Sequence, residues 1–250
     1  MKAMVFAAGF GNRLRPLTDK LPKALVSVAG RPMIEYSLLL LRHYGITEVV
    51  INLHHLGEKI VEHLRDGERL GLKIAYSPEE SLLDTGGGLL RARSKFRDET
   101  FLAINSDILM DLRLDDLSAF HSGKGAAATL VLRPDGLADR YGAIETSADF
   151  RIRRFLGHRA PQGGGALDKF MFTGAQVLEP RVFDYMAEAG PSPAPFSITR
   201  ATYPAMLTRG EPLYGFRFDG YWQDLGTIER IREAEAKLLS GEVKLHYLRE

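Results

Sequence analysis

An apolar run, Ala3 to Ala8, opens directly into Gly9-Phe10-Gly11, and the cations Arg13, Arg15 and Lys23 follow close behind. A strand that ends in a glycine loop beside positive charge points to the α/β class, in which loops leaving the C-terminal ends of strands carry the ligand. The glycines let the backbone approach an anion and turn its N–H groups inward, while the three cations supply the charge a polyphosphate needs. Two well-known phosphate loops do not fit. A dinucleotide-binding turn wants a third glycine where Leu14 stands, and a carboxylate ending the second strand, where the stretch from Glu48 carries Asn52, His54 and His55. A P-loop wants its lysine in a Gly-Lys-Ser/Thr triplet, whereas Lys23 follows Pro22.

A chain of 250 residues with 45% apolar content buries a full core, and its length suits one large α/β domain or two small ones, of which one is the expectation. Lys plus Arg at 33 against Asp plus Glu at 32 leaves a formal charge of +1, so no broad field points to nucleic acid or an anionic membrane, and the positive charge acts locally. With no cysteine, disulfides, thiolate metal sites and cysteine nucleophiles are all excluded, and a cytoplasmic location is expected. The stretch Ala3 to Phe10 is too short, and too interrupted by Gly9, for a signal core, and no apolar run approaches the roughly 20 residues of a membrane span. The seven histidines form no ligand set: His54 and His55 are expected on opposite faces of a strand, and the rest on the surface or on helices. The oligomeric state is not fixed by the sequence, and a monomer is compatible with it.

Strands are expected over Ala3 to Ala8, Glu48 to Leu53, Lys73 to Ser77, Phe101 to Asn105 and Ala126 to Leu132, alternating with helices near Pro32 to Tyr44, Glu58 to Leu64, Gly88 to Phe96 and Leu114 to His121. That alternation predicts a mostly parallel twisted sheet with helices on both faces. From Tyr141 onward shorter strands are expected at Gly142 to Thr146, Ile152 to Phe155 and Lys169 to Val177. Helices follow near Pro180 to Glu188, Phe196 to Leu207 and, capped by Thr227, as far as Leu239. Gln162 to Gly165 and Pro191 to Pro195 read as loops.

The register of Gly9, Gly11, Arg13, Pro16, Leu17 and Thr18, followed by Pro22-Lys23, resembles the signature of the sugar-1-phosphate nucleotidyltransferases. The resemblance runs from Met1 to about Leu239 and implies the Rossmann-like nucleotide-diphospho-sugar transferase fold. It implies a single domain whose residues 1–135 form a nucleotide-binding half, and 136–250 a sugar-binding half with the C-terminal helix. Asp107, after the apolar strand Phe101 to Asn105, and Asp224, before Leu225-Gly226-Thr227, match the family's two metal aspartates and would hold Mg²⁺. Hard carboxylate oxygens suit that ion, which binds through one or two acids, water and phosphate oxygens.

The reaction so implied is attack by a sugar 1-phosphate oxygen on the α-phosphorus of a nucleoside triphosphate, with release of pyrophosphate. The attacking phosphate has a second pKa near 6 and needs no general base, so the chain supplies positioning and charge neutralisation. By resemblance Arg13 holds the β and γ phosphates, Lys23 reaches the reacting phosphates, and Ala8, Gly9 and Gly11 line the nucleotide. Arg15 is expected in a supporting or structural role.

The segment Ser77 to Gly88 resembles the family's base-recognition loop, with Glu79, Thr85 and Gly86 on the nucleotide and Asp84 where glycine is commoner. A carboxylate at 79 accepts the N3–H of uracil or the N1–H of guanine, while cytosine and adenine offer no ring N–H there. Asn105, Tyr141, Gly142, Thr173 and Gly174 resemble residues lining the sugar pocket. One departure stands out: where many relatives carry Val-Glu-Lys-Pro, whose lysine binds the sugar phosphate, this chain has Arg154-Phe-Leu-Gly157, and Arg153, Arg154 and Lys169 are the candidate substitutes. Overall the chain looks closest to the N-acetylmuramate 1-phosphate uridylyltransferase branch, which serves bacterial cell-wall recycling. Mannose- or heptose-1-phosphate guanylyltransferases are the alternative, and a silent nucleotide-sugar-binding regulator, which would tolerate loss of the cations and acids retained here, a more distant one.

Overall fold

The structure, a computed structural model, describes residues 1–96, 98–135, 143–162, 165–188 and 194–248. Its strands are β1 (Lys2–Phe6), β2 (Ser27–Val28), β3 (Arg31–Pro32), β4 (Glu48–Leu53), β5 (Lys73–Pro78), β6 (Phe101–Asn105), β7 (Ile108–Met110), β8 (Ala128–Arg133), β9 (Ile144–Thr146), β10 (Ile152–Phe155), β11 (His158–Arg159), β12 (Asp168–Leu178), β13 (Leu213–Arg217) and β14 (Trp222–Asp224). The α-helices are α1 (Met33–His43), α2 (Gly57–Leu64), α3 (Asp84–Arg91), α4 (Leu114–Lys124), α5 (Val182–Glu188), α6 (Tyr203–Thr208) and α7 (Ile228–Leu239). Among the described residues, no helix is long and apolar enough to cross a membrane. The α/β fold expected from the alternation is what forms.

The chain makes two compact units from interleaved segments: Met1–Leu82, Ile104–Leu112 and Gly220–Glu250 form the first, Leu83–Ala103 and Arg113–Asp219 the second. These units follow different borders from the halves 1–135 and 136–250. In the first, β1 runs parallel to β4 and β4 to β5, with Val5 opposite Ile51 and Ile51 opposite Tyr76. Met4, Val5, Val50 and Ile51 are all buried, so these strands read as unbroken apolar runs, as parallel strands covered on both faces do. The Ser106 N–H and hydroxyl both donate to Phe6 O, at 3.2 and 2.7 Å, which sets the end of β6 beside the end of β1. Helix α1 buries Met33, Ile34, Leu38 and Leu41, and its Ser37 hydroxyl donates to Asn105 O at 3.2 Å. Glu35, 4% exposed on the same helix, accepts from Arg31, His63 and Arg69. Burial pushes its carboxyl up, but the hydrogen bonds and charges of Arg69 and His63 outweigh that and hold it below the usual carboxylate range.

In the second unit β12 is antiparallel to both β8 and β9, β8 is parallel to β13, and β9, β10 and β11 continue as an antiparallel meander. Gly174, at φ +94°, sits where the β8–β12 register shifts between Phe172 and Gln176. Phe96, Phe101 and Phe183 stack, with ring centroids 4.5 and 5.3 Å apart along the series.

Several expectations are corrected here. Helix α3 begins at Asp84, so Thr85, Gly86 and Gly87 are its first turn and not a loop ahead of a helix at Gly88. The helix expected over Phe196 to Leu207 is a π-helical turn, Ile198–Thr202, leading into α6. His54 and His55 follow β4 and do not diverge on it; both rings lie against Phe10, at 5.3 and 5.4 Å. His121 lies on a helix as expected, on α4, and is buried there at 3% exposure, its ring bonding Thr129 Oγ1 at 2.8 Å and Glu179 at 3.1 Å.

Candidate active site

The glycine loop leaves β1 through buried Ala7 and Ala8. Among the described residues, the N–H groups of Gly9, Phe10 and Gly11 meet no acceptor, which leaves a row of backbone donors for an anion. Gly11 holds φ +69°, and a Cβ there would come within 2.9 Å of Thr18 Cγ2 and 3.0 Å of Lys23 Cβ. Both the dihedral and the crowding call for glycine. The Thr18 hydroxyl donates to Gly11 O at 2.9 Å, so the loop closes on the stem of Lys23. Arg13, in the 3₁₀ turn Asn12–Leu14, is exposed and takes part in no hydrogen bond or ion pair among the described residues. Arg15 points to solvent, 66% exposed, and pairs with Asp19 at 3.4 Å, in keeping with a structural place.

The acids meet on a ladder of two short strands. β14 pairs antiparallel with β7, placing Asp224 opposite Ile108, and the Leu225 N–H donates to Asp107 O at 2.9 Å. Asp107 and Asp224, far apart in sequence, are thus neighbours. Lys23 Nζ pairs with Asp107 Oδ2. Asp224 Oδ1 accepts from the Gly226 N–H at 2.8 Å and from Arg230 Nη1 at 2.5 Å. A Cβ on Gly226 would stand 2.5 Å from Arg13 Nη2 and 2.6 Å from Asp224 Oδ1, so the bare glycine is what makes room for the Arg13 guanidinium on one side and the aspartate on the other. Among the described residues no group of three or more His, Cys, Asp or Glu side chains could hold a metal. Two hard carboxylates with room for water and phosphate oxygens fit Mg²⁺, and do not fit an ion that needs an all-protein cage.

At the ends of β4 and β5, Asn52 ties the sheet to Glu79. Its Oδ1 accepts the Ala7 N–H and its Nδ2 donates to Glu79 Oε1, both at 2.8 Å. His54 Nδ1 bonds Glu79 O at 3.0 Å, and the Glu79 side chain, 6% exposed, is held in one place.

The other predicted site residues are placed as follows. Asn105 ends β6 in the first unit, half-buried. In the second unit, Thr85 Oγ1 accepts the Ile198 N–H at 3.1 Å, and the Gly86 N–H donates to Phe196 O at 2.9 Å. A Cβ on Gly86 would collide with the Phe196 ring and carbonyl, so this glycine has a packing reason of its own. Thr173 is buried and donates to Val131 O at 2.8 Å, which turns its hydroxyl into the sheet. Tyr141 and Gly142 lie outside the described residues, as do parts of the loops at 162–165 and 191–195. The candidate substitute cations are engaged on the second unit's sheet. Arg154 pairs with Glu145 at 3.1 Å, Lys169 stands opposite Glu145 in the β9–β12 register, and Arg153 donates to Ser147 Oγ and Gln162 O.

Three residues of the site escaped the sequence reading: Asn52, Gly226 and Arg230. A polar residue near the end of an otherwise apolar strand, and a cation early in the helix after Asp224, were the available signals.

The chain matches the family described as Nucleotidyl transferase over residues 2–241. It is 36% identical over 94% of its length to N-acetylmuramate alpha-1-phosphate uridylyltransferase of Neisseria meningitidis serogroup B, covering 97% of that protein. It is 34% identical over 98% of its length to UTP--glucose-1-phosphate uridylyltransferase of Synechocystis, of which it spans only 65%. It is also 34% identical to a mannose-1-phosphate guanyltransferase of Candida albicans, spanning 98% of this chain and 67% of that one. Among solved structures, a putative glucose-1-phosphate thymidylyltransferase from Bacillus anthracis superposes with a TM-score of 0.81 at 23% identity, over 98% of this chain and 96% of that one, which speaks for the fold. Glycine loop, paired aspartates and a match along nearly the whole chain agree, and the protein belongs to the nucleotidyl transferase family, with the sugar-1-phosphate nucleotidyltransferases.

Proposed function

We propose that this protein transfers the uridylyl group of UTP to N-acetylmuramate 1-phosphate and releases pyrophosphate, with Mg²⁺ held by Asp107 and Asp224. The observation that carries the reading is the β7–β14 ladder, which brings the chain at Asp224 beside the chain at Asp107, with Lys23 on one carboxylate and the Arg13 guanidinium near the other. An oxygen of the sugar phosphate attacks the α-phosphorus, a P–O bond forms, and the bond to the β-phosphate oxygen breaks with its electrons leaving on pyrophosphate. Bound at the two aspartates, Mg²⁺ supplies Lewis-acid neutralisation of phosphate charge. The loop N–H groups of Gly9 to Gly11 and Arg13 hold the triphosphate, and Lys23 meets the charge that gathers at the reacting phosphates. Glu79, oriented by Asn52, accepts the ring N–H of the base.

Uridylyl specificity is favoured by the match to the Neisseria relative, which runs nearly the length of both chains. The second reading, mannose-1-phosphate guanylyl transfer, is favoured by the Candida relative. A pyrophosphate-release assay over several nucleoside triphosphates and sugar 1-phosphates decides between them. UTP is expected to outperform GTP by at least about tenfold, and Glu79→Gln to raise KM for UTP while leaving the Mg²⁺ dependence intact, because an amide copies a charge-assisted bond only weakly. A preference for GTP, or turnover of mannose 1-phosphate alone, would overturn the uridylyl reading. No turnover of any pair would favour a binding protein.

Gly226→Ala tests the packing around Asp224. The added methyl displaces Arg13 or Asp224, and kcat/KM is expected to fall by about tenfold or more with little change in melting temperature. Steady-state kinetics beside a thermal melt check it.

A further inference from the structure

We infer that Asn52 is the positioning residue that decides which nucleobases this protein accepts, by fixing Glu79 as a hydrogen-bond acceptor; the inference rests on the nucleotidyl-transfer reading above, with Glu79 on the base. Asn52 stands next to last on β4, among Val49, Val50, Ile51 and Leu53, and is 3% exposed. Phe6 of β1 lies opposite it on one side and Ser77 of β5 on the other. A polar side chain buried there needs partners. It has two, the Ala7 N–H on Oδ1 and Glu79 Oε1 on Nδ2, both at 2.8 Å.

The two bonds are not independent. The Ala7 N–H can only donate, so the end of the amide facing it is the oxygen, and the end facing Glu79 is the NH₂. An NH₂ also only donates, so Glu79 meets it with an accepting oxygen. The polarity of one backbone N–H is thus handed through Asn52 to the side chain at 79. The main chain of Glu79 is pinned as well, by the two residues that follow Asn52: its N–H donates to Leu53 O at 2.7 Å, and its carbonyl oxygen takes His54 Nδ1 at 3.0 Å. Uracil and guanine bring a ring N–H to a carboxylate held this way, whereas cytosine and adenine bring a bare ring nitrogen that it repels. Asn52 acts through Glu79 and needs no contact with the base.

The test uses three variants. Asn52→Asp keeps an oxygen for the Ala7 N–H and sets a second carboxylate oxygen against Glu79. Glu79→Gln leaves the Asn52 amide in place, which takes the oxygen of the new side chain and turns its NH₂ outward, toward the base. The double variant reverses the pair, because the introduced glutamine can donate to the introduced aspartate and present its oxygen instead. For each, kcat and KM are measured with UTP and CTP, and with GTP and ATP, pairs matched in ring size. The second substrate is whichever of N-acetylmuramate, glucose and mannose 1-phosphates the wild type uses best, and a Mg²⁺ activation curve and a thermal melt accompany each.

At about pH 8, Asn52→Asp is expected to lose at least about tenfold of the wild-type preference for UTP over CTP, or for GTP over ATP, through KM, with kcat and half-activating Mg²⁺ within about threefold. Lowering the pH to about 6 should restore the preference, since the two carboxylates then share a proton and the introduced acid donates as the amide did. His54, the titratable ring bonded to Glu79, is common to both proteins, so the wild type over the same range is the reference. Glu79→Gln should lose the preference at every pH and gain on CTP, and the double variant should recover at least about tenfold of the loss.

An Asn52→Asp protein that keeps its preference throughout, or that weakens for UTP and CTP alike, overturns the inference and leaves nucleotidyl transfer standing; the second result would make Asn52 a brace for the glycine loop. Should Asn52→Asp fail to fold, Glu79→Gln decides alone, and an unchanged UTP-to-CTP ratio there overturns the inference. A wild type without preference in either matched pair takes Glu79 off the base and overturns it too. A wild type that turns over no pair removes the underlying reading, and this inference with it.

Discussion

Asp224→Asn, and separately Asp107→Asn, is expected to lower kcat for pyrophosphate release by at least about 10²-fold, the scale set by loss of one transition-state stabiliser. Each change removes one of the two negative charges carried at the β7–β14 ladder, Asp107 just ahead of β7 and Asp224 at the end of β14, while the side chain keeps its shape. In Asp224→Asn the amide oxygen can still accept the Gly226 N–H, and the lost partner is a half-exposed Arg230, so the stability cost stays within about 1 kcal/mol. Activity and folding therefore separate cleanly. Raising Mg²⁺ should recover part of the rate in either variant, because what is weakened is the ion's hold. A full-rate Asp224→Asn enzyme would remove that residue from the metal site, and a variant that melts early would recast it as structural.

Lys23→Ala carries the second large effect, a loss of at least about 10²-fold in kcat/KM. Lys23 has two attachments: its Cβ lies against Gly11, and its ammonium pairs with Asp107. A lysine that merely neutralised Asp107 would leave the rate nearly intact when removed. A lysine that meets phosphate charge takes the rate with it, and also frees Asp107 Oδ2, so half-activating Mg²⁺ should fall even as turnover collapses. Lys23→Arg is not expected to restore activity, since the flat guanidinium cannot occupy the place of a compact ammonium above Gly11. Kinetics across a Mg²⁺ titration distinguish these outcomes.

The glycine loop and both aspartates were visible in the sequence because their chemistry is local: a strand end, a few fixed neighbours, a residue type that must be small or charged. The ladder that unites the aspartates was not. β7 and β14 have three residues each, too few for any alternation to show, and their pairing is set by the rest of the first unit. The start of α3 was missed for the opposite reason. Three successive glycines argue against a helix by propensity, yet Gly86 must be bare to pass Phe196, and packing overrides the local preference. Asn52 was noticed only for not being a carboxylate. Its value lies in having a donor and an acceptor on one planar group, and that becomes visible once Ala7 and Glu79 flank it.

The interleaving of the first unit has a consequence for how the protein comes to be made. β14 and α7 are synthesised more than a hundred residues after their partners β7 and β2. Joining Trp222 to Met110 closes a loop on the order of 100 residues, which costs about 4 kcal/mol in chain entropy on a (3/2)RT ln n scale unless the intervening chain is already folded. Folding of the second unit shortens that effective loop. The order of events follows: Asp107 waits without its partner until the chain through Asp224 has been made, and the candidate site comes together after the segments of the second unit have been synthesised.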